Sequence, residues 1–248
     1  MRTTLAAVLV VAVALPSAAH ALTVDEVIGK AIMAQGGADK LRAIRTLRLT
    51  GTMHIGGEGF SLDAQIGTLY EGSEHMRSEF TLQGLTAVDA LEGAEAWHFQ
   101  PFEGRREAQR ATEDEVALMR EDAEFAGPLL DWQKKGYKVD YLGTEDVDGT
   151  EAHKLKVSLK NGDVQYVYFD PDAFLVIRTM NQRTVRGVEQ REETDYSDYE
   201  KVNGTYVAFA TSSGAAGDTT RTKFTVDKAE PNAAVDDATF AFPATSAK

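Results

Sequence analysis

Outside the first 21 residues the chain has four histidines, His54, His75, His98 and His153, the side chains best suited to proton transfer or metal ligation near neutral pH. Their spacing fits neither role. No H-x3-H pair with supporting carboxylates occurs and there is no H-E-x-x-H, so no zinc site of the protease type is encoded. The nucleophile elbow G-x-S-x-G is absent. "HIGGEGF" (54–60) carries glycines but leads into a strand, not a helix, so it lacks the context that cradles phosphate and reads as a hairpin turn. "DVDGTE" (146–151) offers oxygen ligands without the spacing or terminal Glu of a calcium loop, and "NGT" at Asn203 reads as a turn. With no nucleophile–base pair and no ligand cluster, the expectation is a protein that is not an enzyme and carries no metal or cofactor.

His98 lies in the densest aromatic stretch, "GAEAWHFQPF" (93–102). Read as a strand, it sends Trp97 and Phe99 to one side, expected to be the core or a cavity, and His98 to the other, which makes His98 a poor base. Pro101 ends the strand.

Two helices and many strands must position these residues. Thr23-x-x-Glu26 is a capping box that opens a helix running to about Gln35, with Val24, Val27, Ile28, Ala31 and Ile32 on one face and Gly36-Gly37 at its end. Ala38 to Ile44 adds one or two turns. A second capping box, Thr112-x-x-Glu115, opens a helix bounded by Pro128 that resumes near Leu129 to Lys135. Nearly everything else alternates with period two. "HKLKVSLK" sets Leu155, Val157 and Leu159 against lysines and serine, the pattern of an antiparallel strand with one buried side. Asn161-Gly162 and Asn203-Gly204 mark tight hairpins. The inventory predicts a mainly β (α+β) fold of about ten or eleven strands, one strongly curved antiparallel sheet or half-open barrel covered by helices.

Composition narrows the setting. "MRTTLAAVLVVAVALPSAAHA" has a basic Arg2, an apolar run from Leu5 to Leu15 and an A-x-A site at Ala19-His20-Ala21, so residues 1–21 are expected to be a cleaved secretory leader. Residues 22–243 are expected to form one domain and 244–248 a flexible tail. There is no cysteine, which excludes disulfides, thiolate chemistry and a cysteine-linked lipid anchor. A net charge of −13 repels nucleic acid. The expected product is a periplasmic, unanchored monomer.

Several segments in order resemble the LolA/LolB-like superfamily, in particular the outer membrane lipoprotein-sorting proteins. They are "AQGGADKLRAIRTLRLTGTM", "LEGAEAWHFQPFEG", the long block "LLDWQKKGYKVDYLGTEDVDGTEAHKLKVSLKNGDVQYVYFDPDAFLVIRTM", "DYSDYEKVNGTYVAF" and "VDDATFAFP". The resemblance implies a half-open barrel whose helices cover a hydrophobic cavity for acyl chains, and hence a carrier of lipid or acylated lipoprotein. The superfamily also includes sensors that bind lipid and an envelope membrane partner, the alternative role. It implies further a cavity arginine that governs lipid release, for which Arg45 and Arg48 in the first strand are the candidates, although by their own pattern both read first as solvated strand-edge residues. The side chains expected to line such a cavity are Leu49, Met53, Phe60, Leu62, Ile66, Phe80, Leu82, Trp97, Phe99, Leu155, Val157, Val167 and Phe169, with Met119, Phe125 and Leu129 as a lid. Periodicity alone fits a filled core or a cavity wall equally, and helix-to-sheet packing equally explains the last three.

Overall fold

The computed structural model describes residues 22–243 except Glu58, Arg186 and Asp237, so the expected leader and tail lie outside the described residues. Helices α1 (Val24–Ala34) and α2 (Ala38–Ala43) come first, followed by β1 (Thr46–Gly57), β2 (Phe60–Glu71), β3 (His75–Leu82), β4 (Leu85–Glu92) and β5 (Glu95–Phe99). A 3-10 turn at Pro101–Glu103 leads to β6 (Gln109–Arg110), α3 (Glu113–Asp122) and α4 (Trp132–Lys135). The remaining strands are β7 (Lys138–Val147), β8 (Thr150–Ser158), β9 (Val164–Phe169), β10 (Val176–Val185), β11 (Val188–Val202), β12 (Thr205–Ala215) and β13 (Thr222–Pro231).

All 13 strands form one antiparallel sheet in the order β6-β5-β4-β3-β2-β1-β13-β12-β11-β10-β9-β8-β7. It is two meanders joined where β1 pairs with β13, and it is not closed: β6 and β7 are its edges. At this seam Gly51 follows a bulge, and a Cβ there would lie 2.1 Å from the Thr225 carbonyl, so the strands approach too closely for any larger residue.

The strand count of 13 corrects the expected ten or eleven. The alternation rule did not single out β4 or the two-residue β6. In β4 the buried residues Ala87, Val88, Ala90 and Leu91 fall on both faces. Leu91 packs with Met76, Ala96 and Ala123 beneath α3, while Val88 and Ala90 pack with Trp97 on the opposite side. A strand covered on both faces has no polar side to alternate with.

Both capping boxes form as expected. The Thr23 N–H donates to Glu26 Oε2 at 2.8 Å, and the Thr112 N–H to Glu115 Oε2 at 2.7 Å. Helix α1 then lays Val27, Ile28 and Ala31 over Val139, Leu155, Val157, Val167 and Phe169, the largest core cluster. Its exit is tight: a Cβ on Gly36 would lie 2.4 Å from the Gly204 carbonyl, and Tyr206 N–H donates to Gln35 O at 2.9 Å. Thus the double glycine lets the helix end sit directly on the β11–β12 turn.

Register assigns the faces. The pairs Leu47↔Tyr70, Tyr70↔Met76, Met76↔Leu91 and Leu91↔Ala96 share the helix-covered face, and Asp89↔His98 follows the same phase. Trp97 and Phe99 therefore lie on the opposite face, in a packed cluster with Val88 and Ala90, which is the core alternative of the expectation and not the cavity one. The cause is a C-terminal strap. After β13 the chain crosses that face, where Trp97 Nε1–H donates to Phe240 O at 2.8 Å and Arg77 Nη1–H to Thr239 O at 3.1 Å. Phe242 packs edge-on to Trp97 at 6.2 Å between ring centroids.

Candidate ligand cavity

Between the helix-covered face and the helical segments lies a cavity of about 510 Å3. Its floor is built from strands of both meanders. Leu47 and Leu49 of β1 and Phe224 and Val226 of β13 stand at the seam, Tyr70 comes from β2, and β9, β10 and β11 contribute Val167, Phe169, Val176, Thr179, Tyr196 and Tyr199. Ala31, Ile32, Leu41 and Ile44 of α1, α2 and the turn after them close one end. The roof is the stretch from Glu121 to Leu129, the last residues of α3 and the loop beyond.

This roof is held by polar contacts at its two ends. Near its start, Arg120 Nη2–H donates to Gly93 O at 3.0 Å, and Arg183 of β10 faces Glu121 at 3.1 Å and Asp122 at 3.1 Å. Glu121 also accepts from Asn161 Nδ2 at 2.6 Å. Farther along, Glu124 accepts from Lys135 Nζ at 2.8 Å and from Tyr137 Oη at 3.0 Å, while Lys135 also donates to Gly127 O at 3.0 Å. Asp131, just beyond, takes a two-point grip from Arg42 of α2 at 3.0 and 2.9 Å. Inside, Phe125 meets Tyr70 at 5.9 Å between ring centroids. The middle of the roof is thus apolar, and charge fastens its margins.

The environment shifts the titration of these groups. Burial pushes the Glu121 carboxyl above its ordinary range, against the opposing pull of Arg183 and the hydrogen bond from Asn161. For Arg183 burial works against the charge, yet Asp122 and Glu121 outweigh it and keep the guanidinium protonated. Burial also raises Tyr70, Tyr196 and Tyr199, so all three stay neutral phenols across ordinary pH. On Asp131 the hydrogen bonds from Arg42 and Lys134 hold the carboxyl well below the usual range.

Of the expected lining residues, Leu49, Phe125, Leu129, Val167 and Phe169 stand in the cavity wall. The others lie elsewhere. Leu155 and Val157 are fully buried beneath α1, which sits directly on them. Met119 packs between α3 and the sheet, near Met76 and Leu91, so the roof is the end of α3 and the loop after it, not the body of the helix. Ile66 is buried in the sheet outside the cavity, and Phe80 stacks edge-on with Phe102 at 5.7 Å. Met53, Phe60, Leu62 and Leu82 belong to the far ends of their hairpins, where Phe60 and Leu62 are exposed. Trp97 and Phe99 pack with Phe242 on the opposite face. Arg45 and Arg48 are not in the lining either: the Arg45 backbone N–H donates to Asn232 Oδ1, and Arg48 Nη2–H donates to the Ala234 carbonyl of the strap.

Sequence reading missed Arg183, Glu121, Tyr70, Tyr196 and Tyr199. The signal for Arg183 was its phase: Thr179, Asn181 and Arg183 continue one face of β10, but as polar residues they read as solvent-facing.

No protein-family model matches this chain, and no curated protein sequence matches it. Solved structures do. The crystal structure of a DUF1329 family protein from Desulfovibrio piger superposes with a TM-score of 0.60 at 17% identity, covering 88% of this chain and 97% of that one. A LolA superfamily protein from Nitrosomonas europaea gives 0.59 at 12% identity, with 89% and 98% covered. An outer membrane lipoprotein-sorting protein domain from Vibrio parahaemolyticus gives 0.56 at 12% identity, with 87% and 94% covered. The fold is LolA-like. At these identities the likeness concerns the path of the chain, and the chemistry of the LolA-like cavity rests on its own residues.

Among the described residues no group of three or more His, Cys, Asp or Glu is placed to hold a metal ion, and no helix is long and apolar enough to cross a membrane. His98 pairs across the strands with Asp89, His54 Nδ1 lies 2.7 Å from Asp63, and His153 Nδ1 lies 2.9 Å from the Tyr141 hydroxyl. Each is a local contact outside the cavity lining.

Proposed function

We propose that the chain is a periplasmic binding or carrier protein for a lipid or the acyl chains of a lipoprotein, acting by desolvation and without covalent chemistry. The observation that carries this reading is the cavity of about 510 Å3, walled by aliphatic and aromatic side chains and roofed by a fastened loop. That volume lies within the range of about 300–1,000 Å3 usual for small-molecule sites. An acyl chain gains roughly 0.8 kcal/mol per buried CH2, so a 14-carbon chain gains on the order of 10 kcal/mol before ordering costs. The LolA-like fold supports the same reading, since it is the fold of an outer membrane lipoprotein-sorting domain.

The test is uptake. Protein stripped of lipid is titrated with a fluorescent fatty acid and with a diacylated lipopeptide, and organic extracts of freshly purified protein are analysed by mass spectrometry. Saturable, stoichiometric uptake that is blocked by Leu49→Trp supports the proposal. Absence of uptake together with lipid-free extracts sinks it.

A further inference from the structure

The roof's contacts are unevenly matched at one point. Arg183 projects from β10 into the polar end of the cavity, its side chain only 16% exposed. Its Nε is 3.1 Å from Glu121 Oε2, close enough for ion pairing, but it is off the hydrogen-bond direction and stays buried without a hydrogen-bond partner. Its other acidic neighbour, Asp122, is half-exposed and can turn to water. Both neighbours belong to α3, which carries the roof. A guanidinium forms its best contacts as a planar two-point fork, and this one is held at an angle by two carboxylates that are not part of the sheet. Burying an N–H without a hydrogen-bond partner is costly, and a better-aligned anion would relieve it.

Resting on the reading of the cavity as a ligand site, we infer that Arg183 is the head-group anchor of the cavity, and that the ligand is an acyl-chain amphiphile with an anionic head whose negative group replaces Glu121 and Asp122 on the guanidinium. The apolar chain then runs toward Leu49 and Val226 at the seam. Gln165 and Asn181, cross-strand partners that both line the cavity beside Arg183, supply further amide donors for the head. Exchange of partners ties recognition to the roof: an anion that takes Arg183 also unfastens the start of the roof, and a neutral amphiphile of equal length cannot.

The experiment compares palmitate, its methyl ester and hexadecanol, together with inorganic phosphate as a head without a chain, by calorimetric titration of the delipidated full chain. Palmitate is expected to bind roughly 10- to 100-fold more tightly than the two neutral analogues. Arg183→Gln should abolish the preference, so that palmitate and the alcohol bind alike in that variant. Glu121→Gln, which keeps Arg183 and weakens its competitor, should tighten palmitate several-fold, so the idea stays testable even if Arg183→Gln does not fold. Equal affinities for acid, ester and alcohol in the wild type, with no response to Glu121→Gln, overturn the anchor while leaving the ligand cavity standing. Failure of every chain to bind overturns the cavity reading itself, and the anchor with it. Binding of phosphate as tightly as palmitate, lost in Arg183→Gln, identifies a site for a free anion and overturns the amphiphile.

Discussion

Lys135→Met tests whether the roof moves as a unit of its own. Lys135 makes two contacts that hold the roof's far margin, with Glu124 Oε2 at 2.8 Å and with Gly127 O at 3.0 Å. Both partners of the ion pair are mostly but not fully buried, 23% and 15% exposed at the side chain. Hydrogen bonds to charged groups contribute roughly 1.5–3 kcal/mol each, and partial exposure with the surviving Tyr137 contact to Glu124 reduces the combined loss to about 2 kcal/mol. Methionine fills a similar volume, so packing changes little. At about 1.4 kcal/mol per factor of ten, the opening equilibrium of the roof should rise roughly 30-fold. Hydrogen–deuterium exchange read on peptides spanning residues 121–130 should accelerate by that factor, while peptides from β8, buried beneath α1, change far less. The reasoning is refuted if exchange in 121–130 is unaltered, or if β8 accelerates equally, since the roof would then open only with the whole domain.

Trp97→Phe keeps an aromatic ring under the strap but deletes the donor to Phe240 O, leaving a carbonyl buried and unpaired. Urea unfolding should show a loss of about 1–3 kcal/mol, and limited proteolysis should cut the strap sooner. Gly51→Ala places a methyl group 2.1 Å from the Thr225 carbonyl at the seam and should cost about 2–4 kcal/mol, read as a lower urea midpoint. His153 has a pKa lowered by burial, with Lys30 adding to the effect. As pH falls the unfolded chain therefore takes up the proton first, so this contribution to stability is complete above the ordinary histidine pKa of about 6.5 and is lost as pH drops through the lower folded value. Between pH 7.5 and 5 the Tm of the wild type should fall further than that of His153→Gln; parallel curves would contradict the assignment.

What the sequence made legible were features whose cause is local. The two capping boxes need only residues three apart, and the Asn203-Gly204 turn only two, so these were readable directly; Asn161-Gly162 also marks a hairpin, but its loop runs from Leu159 to Asp163. Alternation also told which residues share a side of a strand. It carries no information on what will cover that side. Trp97 was grouped correctly with Phe99 on a side expected to be core or cavity, but that it is core depends on the strap that buries them, which arrives more than a hundred residues later. Leu155 and Val157 were recognised as buried, yet only the docking of α1 decides that they fill space while Val167 and Phe169 border the cavity. Arg183 escaped notice for the converse reason. A charged residue on a strand reads as solvated until a distant helix lays two carboxylates over it.

The seam between β1 and β13 also sets an order of events during folding. Every other ladder joins strands that follow one another in the chain, whereas this one brings Leu47 to Pro231. Hairpins of each meander can therefore form early at low loop-closure cost, and the seam is the one pairing of strands distant in the chain, which must wait for the last strand. Phe224 and Val226, which complete the cavity floor, travel on that strand, and the strap over Trp97 follows it. A chain emerging from its N-terminus thus has two nearly finished half-sheets and an incomplete cavity floor until β13 (Thr222–Pro231) pairs with β1. Enclosure of the cavity is thus tied by topology to the last strand pairing and not to the folding of either half-sheet.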